Sequence, residues 1–378
     1  MKSDLKSMSQ EELAAFLGEL GQPKFRAAQL FDWIHVKKAT AFSEMTNLPK
    51  GLIAVLEERA TLTNLTIQRK LVSKLDGTVK YLYRLPDGEL VESVLMDYKH
   101  GRSICLSTQV GCKMGCSFCA STKAGFVRNL APSEILEQLY AAERDSGERV
   151  GSVVLMGIGE PLDNFDHVLR FLELVSAEKG NNLSLRHVSL STCGLVDRIY
   201  ELAKRKLQLT LSVSLHAPND EIRSRTMPVN NRFPVAVLLK ACRDYAETTG
   251  RRVSFEYALI RGVNDSRQCA EELASRLKGM LCHVNLIPVN EIKETSYRKS
   301  DRRQILEFQE WLTERGINTT IRRTLGADIS AACGQLRRDA QSPESLPPGK
   351  ADPDGISLED ISGSEVWEAD QANEEGLG

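Results

Sequence analysis

Residues 104–323 predict an α/β fold built on a parallel sheet, and two observations carry that reading. Short apolar runs recur at Ile104–Val110, Ser152–Met156, His187–Ser191, Leu207–Leu215, Val253–Ile260 and His283–Pro288. Helical patterns stand between them, among them Ser133–Arg144, Val235–Thr249 and Asp265–Lys278. Strand–helix alternation of this kind is the mark of parallel strands joined by crossover helices. Six strands would make a partial, open (β/α) barrel. By analogy with closed barrels, the chemistry then belongs at the strands' C-terminal ends. A last run, Asn318–Arg323, leads on to a loop around Cys333.

Ahead of that sheet, residues 1–62 read as a small helical domain. Ser9-Gln10-Glu11-Glu12 is a capping box in front of Leu13, Phe16 and Leu17. From Lys24 to Lys38 basic residues interleave with Phe25, Phe31, Trp33 and His35. Amphipathic packing explains these aromatics as well as a nucleic-acid contact does. Alternating runs from Leu65 to Tyr98, with turns at Asp76-Gly77 and Asp87-Gly88, carry a hairpin signature. They make residues 63–100 a β extension feeding a strand at Ser103–Val110. Glu92 lies on its last strand, where a carboxylate is ordinarily a solvated residue of the sheet face. Residues 339–378 hold few large apolar side chains, four prolines and many acids. Such a segment buries too little surface to offset chain entropy and is expected to be a disordered tail.

The densest chemistry lies at residues 103–130. Cys112-x3-Cys116-x2-Cys119 puts three thiols within eight residues, on a loop with Gly111 and Gly115. Thiolates are soft ligands suited to iron–sulfur clusters or zinc, and glycines let backbone approach such a centre closely. A structural zinc site takes four ligands, usually from two paired halves. The other cysteines, at 193, 242, 269, 282 and 333, are isolated. Three cysteines on a four-iron cluster leave one iron open to a substrate. Cys193, Cys242, Cys269 and Cys282 read as core residues.

Cys-x3-Cys-x2-Cys with Phe118 before the last cysteine resembles the signature of the radical S-adenosylmethionine (SAM) superfamily. Cys105-x6-Cys112, Phe118-Cys119-Ala120 and the distant Ala331-Ala332-Cys333-Gly334-Gln335-Leu336 resemble a narrower group. That group is the RNA adenine methyltransferases of the RlmN type, with their antibiotic-resistance relatives of the Cfr type. The resemblance spans about residues 10–338. It implies a radical SAM partial (β/α)6 barrel at 101–338, an RNA-contacting helical domain at 1–62, and a [4Fe-4S] cluster on Cys112, Cys116 and Cys119. It implies two SAM molecules per turnover. SAM contacts then fall on Gly159 and Glu160 of Gly157-Ile158-Gly159-Glu160-Pro161, on Ser191, on Ser214-Leu215-His216, and on Asn290. Each of these sits at the end of an expected strand. The family often has proline after this asparagine, where this chain has Glu291. Cys333 takes the place of a methyl-carrying cysteine, Cys105 that of its resolving partner, and Glu92 that of a proton acceptor. The implied reaction methylates carbon 2 of an adenosine in 23S rRNA and in some tRNAs, with a one-electron reductant such as flavodoxin. Gly159-Glu160-Pro161 and Phe255-Glu256-Tyr257 resemble the carbon-2 group rather than the carbon-8 resistance group. A non-enzymatic iron–sulfur RNA-binding protein is the reading from another class.

Charge and composition fit these expectations. The net charge is −2, but the acidic tail masks a basic body: residues 1–340 hold 48 Lys and Arg against 41 Asp and Glu. A basic body is compatible with a polyanionic partner. No stretch of about 18 apolar residues marks a membrane span, and no apolar segment near Met1 marks a signal peptide. Nine cysteines without such a signal point to a reducing compartment. The chain is therefore expected to be cytoplasmic; it is also expected to be a monomer.

Overall fold

The structure, a computed structural model, describes residues 2–99, 101–123, 125–289 and 296–329. Asn290, Cys333 and the acidic tail lie outside the described residues.

The chain opens with a two-residue strand β1 (Ser3–Asp4), then helices α1 (Gln10–Glu19), α2 (Phe25–His35) and α3 (Lys50–Arg59); β2 (Ala60–Thr61) returns to pair in parallel with β1. The capping box forms as the sequence predicts. Ser9 Oγ accepts from the Glu12 amide at 3.2 Å, and the Glu12 carboxylate accepts from the Ser9 amide at 2.7 Å. A meander follows: β3 (Thr66–Val72), β4 (Val79–Arg84) and β5 (Leu90–Tyr98). Strand β6 (Gly101–Cys105) pairs antiparallel with β5. The β extension is therefore continuous with the main sheet.

The expected strand Ile104–Val110 is two elements. β6 ends at Cys105, and β7 (Gln109–Gly111) pairs instead with β8 (Phe126–Asn129) in a separate small sheet. The break lies at Ser107, whose amide donates to Gln138 Oε1 and whose hydroxyl donates to the Glu92 carbonyl. The amide bonds a helix side chain rather than a neighbouring strand, so the chain leaves the sheet there. The cluster loop with its short helix α4 (Ala120–Lys123) lies between β7 and β8, and α5 (Pro132–Ser146) follows.

The parallel part then runs β9 (Ser152–Leu155), α6 (Phe165–Ser176), β10 (Val188–Thr192), α7 (Val196–Arg205), β11 (Thr210–Ser214), α8 (Asp220–Thr226), α9 (Val235–Thr249), β12 (Val253–Leu259), α10 (Arg267–Leu277), β13 (Cys282–Pro288), α11 (Arg302–Thr313) and β14 (Thr319–Ile321). The sheet order is β14-β13-β12-β11-β10-β9-β6-β5-β4-β3, with every pair from β6 to β14 parallel. The run leading to Cys333 is thus a strand of this sheet, one more than the six expected.

The register separates the two faces of the parallel strands. Ile104, Val153, Leu190, Leu211, Val213, Val253, Phe255, Val284 and Leu286 share a face and belong to the main hydrophobic core. The opposite face carries Cys105, Ser189, Ser191, Ser212, Ser214, Ser254, Glu256, His283, Asn285 and Thr320. A parallel sheet covered on both faces by helices would be apolar on both. This one keeps an inner face of hydroxyls, amides and a carboxylate, linked by hydrogen bonds such as Asn285 Nδ2 to Glu256 at 2.8 Å. The barrel interior is built to face polar matter.

The N-terminal helices are welded to this body. Leu13, Leu30, Phe31 and Ile34 share one continuous core with Ile135, Leu139 and Tyr140 of α5. Lys6 Nζ meets Glu137 at 2.5 Å with both side chains fully buried, and His35 Nδ1 lies 3.1 Å from the Tyr140 hydroxyl.

Candidate active site

The cluster loop is shaped by glycine and anchored by α8. Gly111 has φ +77°, and a Cβ there would lie 1.7 Å from the Gly125 carbonyl oxygen. Only glycine allows that crossing of the loop's two ends, which the Cys112 amide closes by donating to the same oxygen at 3.2 Å. The Ser117 amide donates to the Thr226 carbonyl at 2.9 Å, tying the loop to the last turn of α8. Burial pushes the Cys112 thiol up to about 12 and Cys116 higher still, each reinforced by the neighbouring cysteines of the loop. Cys112 and Cys116 therefore resist ionisation until a cation arrives. Among the described residues, no three His, Cys, Asp or Glu side chains converge on one point as a single-ion site requires. A polynuclear cluster, with a separate iron for each thiolate, makes no such demand. Three soft donors on a Gly-shaped loop fit an iron–sulfur cluster.

The strand-end motifs meet this loop. Cys116 packs against Cys193, just past β10, with Met227, and the Phe118 ring stands edge-on to His216, just past β11, at 5.0 Å. Glu160 is buried, and its carboxylate accepts from the amides of Cys193 at 2.7 Å and Leu162 at 3.0 Å. Burial raises its pKa against those bonds. Gln109 receives the Glu160 amide and reaches Asn129 and Asp163, which joins the turn to the root of the cluster loop. Gly157 and Gly159 answer to packing: a Cβ at either would lie within 3 Å of Leu106–Ser107 or Gln109. Ser191 and Ser214 point from the inner face. His216 is held at φ +56°, a left-handed conformation rare outside glycine. Its Nδ1 accepts from the Ala258 amide at 2.9 Å, and burial lowers its pKa to about 3. The ring is thus neutral, with its proton on Nε2.

Next to this end of the sheet lies a cavity of about 210 Å³ lined by Glu92, Cys105, Met156, Gly157, Ile287 and Arg322, among others. Register explains the grouping. Cys105 faces Val94 across β5–β6, Lys80 faces Val94 across β4–β5, and Glu92 lies two residues along β5 on the same side. Glu92 is buried rather than solvated: its carboxylate lies 3.0 Å from Lys80 Nζ, with both side chains 1% exposed. Cys105 opens partly to the cavity; burial raises its thiol pKa, Arg322 opposes the rise and Glu92 adds to it. From β14 the chain runs along the cavity wall through Arg322–Leu325 toward Cys333.

The structure therefore gathers Cys112, Cys116, Cys119, Glu160, Ser191, Ser214, Leu215 and His216 at one end of the parallel sheet, with Glu92 and Cys105 in the adjoining cavity. Sequence reading missed Lys80, Arg322 and Arg223. Arg223 carries no local motif and is recognisable only by burial, whereas the alternation of Lys80-Tyr81-Leu82 already places Lys80 on the same face of the β4–β5 pair as Glu92.

Comparison with known proteins gives the chain's relatives. Residues 106–276 match the model of the radical SAM superfamily, and residues 3–62 match that of the ribosomal RNA large subunit methyltransferase N-terminal domain. A protein of Lachnospira eligens named probable dual-specificity RNA methyltransferase RlmN is 52% identical, over 89% of this chain and 96% of its own length. One of the same name from Desulforamulus reducens is 52% identical over 90% and 97%. The crystal structure of a radical SAM methyltransferase from Sphaerobacter thermophilus superposes with a TM-score of 0.85 at 44% identity, covering 88% of this chain and 98% of that one.

Proposed function

The chain belongs to the RlmN family of radical SAM RNA methyltransferases, and from that premise we propose that it methylates carbon 2 of an adenosine in 23S rRNA and in some tRNAs. The observation that carries the reading is the cavity holding Glu92 and Cys105 beside the chain that runs to Cys333. Carbon 2 of adenine is neither acidic nor nucleophilic, so displacement on a SAM methyl cannot reach it. A carrier thiol, a resolving thiol and a base are what an indirect route needs.

Cys112, Cys116 and Cys119 hold a [4Fe-4S] cluster, and Gly159, Glu160, Ser191, Ser214, Leu215, His216 and Asn290 hold SAM. With SAM bound, the cluster supplies single-electron chemistry that generates a radical at a methylated cysteine; two SAM molecules serve each turnover. Cys333 carries the methyl group. Glu92 takes the ring proton, its carboxylate held in place by Lys80 Nζ at 3.0 Å. Cys105 then attacks the Cys333 sulfur, freeing the product and leaving a disulfide, which requires the two Cα atoms within about 7 Å. Residues 1–62 form the RNA-contacting domain, residues 63–100 the β extension, and residues 101–338 the catalytic domain. We place the enzyme in the cytoplasm as a monomer served by a flavodoxin-like reductant; no helix among the described residues is long and apolar enough to cross a membrane.

The covalent route has a direct test. Cys105→Ala protein given SAM, reductant and RNA is expected to accumulate a protein–RNA adduct that survives denaturation, and Cys105→Ala/Cys333→Ala is expected to form none. A Cys105→Ala enzyme that releases methylated RNA freely contradicts the resolving role.

A further inference from the structure

Arg223, on α8, is a charge that the reaction outlined above does not use. It is fully buried and the largest such side chain among the described residues. Its guanidinium donates to the carbonyls of Cys193 at 2.6 Å, Leu215 at 3.1 Å and Ser214 at 3.2 Å, and to Asn230 Oδ1 at 3.2 Å. All four acceptors are neutral. Asp220, the carboxylate in its vicinity, is engaged elsewhere, accepting from the Val235 amide at 2.7 Å and from Asn230 Nδ2 at 2.9 Å. Burying a cation against neutral dipoles alone is costly, and such charges persist where a counter-charge compensates them.

What lies beside Arg223 is sulfur. Its closest acceptor is the carbonyl of Cys193, whose side chain packs on Cys116 and Met227, with Phe118 and Cys119 at the edge of the same cluster. The helix that carries Arg223 also carries Thr226, the anchor of the cluster loop. Three thiolates on a four-iron core in its 2+ state give a net charge of −1, and uptake of one electron makes it −2. A fixed cation nearby favours the more negative form.

We propose that Arg223 is the buried counter-charge of the iron–sulfur cluster, a positioning residue that raises the cluster's one-electron reduction potential. This rests on the cluster assignment given under the proposed function. Its bonds to the ends of β10 and β11 alone would be a structural role, which the potential does not report.

The test is a potentiometric titration of anaerobically reconstituted full-length protein with dithionite as reductant, followed by electron spin resonance, with iron and sulfide measured on each sample. Arg223→Gln removes the charge, Arg223→Lys keeps it, and Asn230→Asp sets a carboxylate against the intact guanidinium while giving up the bond from Asn230 Nδ2 to Asp220. At the potential where wild type is half reduced, the reduced-to-oxidised ratio is expected to fall about tenfold in Arg223→Gln and in Asn230→Asp, the size one unit charge gives at about 10 Å in an effective dielectric of about 20. Arg223→Lys is expected to stay near wild type. Should Arg223→Gln fail to fold, Asn230→Asp against Arg223→Lys decides the matter. Equal ratios in iron-loaded wild type and Asn230→Asp overturn the role of Arg223 while leaving the cluster in place. Wild-type protein that takes up no iron and sulfide overturns the cluster assignment, and the inference with it.

Discussion

His35 and His216 are both buried with a folded pKa of about 3 against an ordinary 6.5, since burial disfavours the imidazolium. The unfolded chain therefore takes these protons first. Stability is fully present above about pH 6.5 and is lost as pH falls from there toward 3, at up to about 1.4 kcal/mol per pH unit for each ring. Urea unfolding at pH 7, 6 and 5 is expected to show that decline, with a shallower slope in His35→Asn, which has one fewer proton to bind. Single residues are also where sequence reading was least complete. Cys112, Cys116 and Cys119 are legible because their chemistry is compressed into one loop. Glu92 reads as a solvated strand residue until pairing with Lys80 and the fold of β4 onto β5 bury it. Arg223 sits in an ordinary-looking polar helix, and nothing local marks it as the most deeply buried cation of the site.

At the scale of elements, alternation along β9–β13 was enough to predict the parallel sheet, and the Asp-Gly turns were enough to predict the meander. The strand at 104–110 failed because tertiary hydrogen bonds of Ser107, invisible in the local pattern, draw the chain out of the sheet. Two connections here carry expected outcomes. Gly111→Ala cannot fit its Cβ against Gly125. The variant is expected to fold, with circular dichroism near wild type, yet to lose most of its cluster iron on reconstitution. The β3–β4 turn grips the segment that leads toward Cys333: Asp76 accepts from the Gly326 amide at 2.8 Å, and Asp328 accepts from Ser73 Oγ at 2.7 Å and the Lys74 amide at 2.8 Å. With each bond contributing about 1 kcal/mol net, Asp76→Ala/Asp328→Ala is expected to slow RNA methylation by about tenfold or more while SAM cleavage continues. Equal loss of both activities would show that the clasp supports the whole site and not the Cys333 segment in particular.

On the scale of the molecule, the N-terminal helices, the meander and the barrel share one core, so the helical domain is held in a fixed position on the barrel rather than on a tether. The buried Lys6–Glu137 pair fixes that docking geometry. The inner face of the barrel remains polar, the cluster loop caps one end of the sheet and the Glu92–Cys105 cavity adjoins it; the function proposed above puts carrier, base and resolving thiol there. The most direct measurement of this account is mass spectrometry of nucleosides from ribosomal and transfer RNA of cells that lack such an enzyme and express this chain, intact or as Cys333→Ala. The expected result is 2-methyladenosine with the intact protein and none with the variant. 8-Methyladenosine would move the reaction to the other ring carbon, and 2-methyladenosine formed equally by Cys333→Ala, or no methylated adenosine from an iron-loaded protein, would contradict the account.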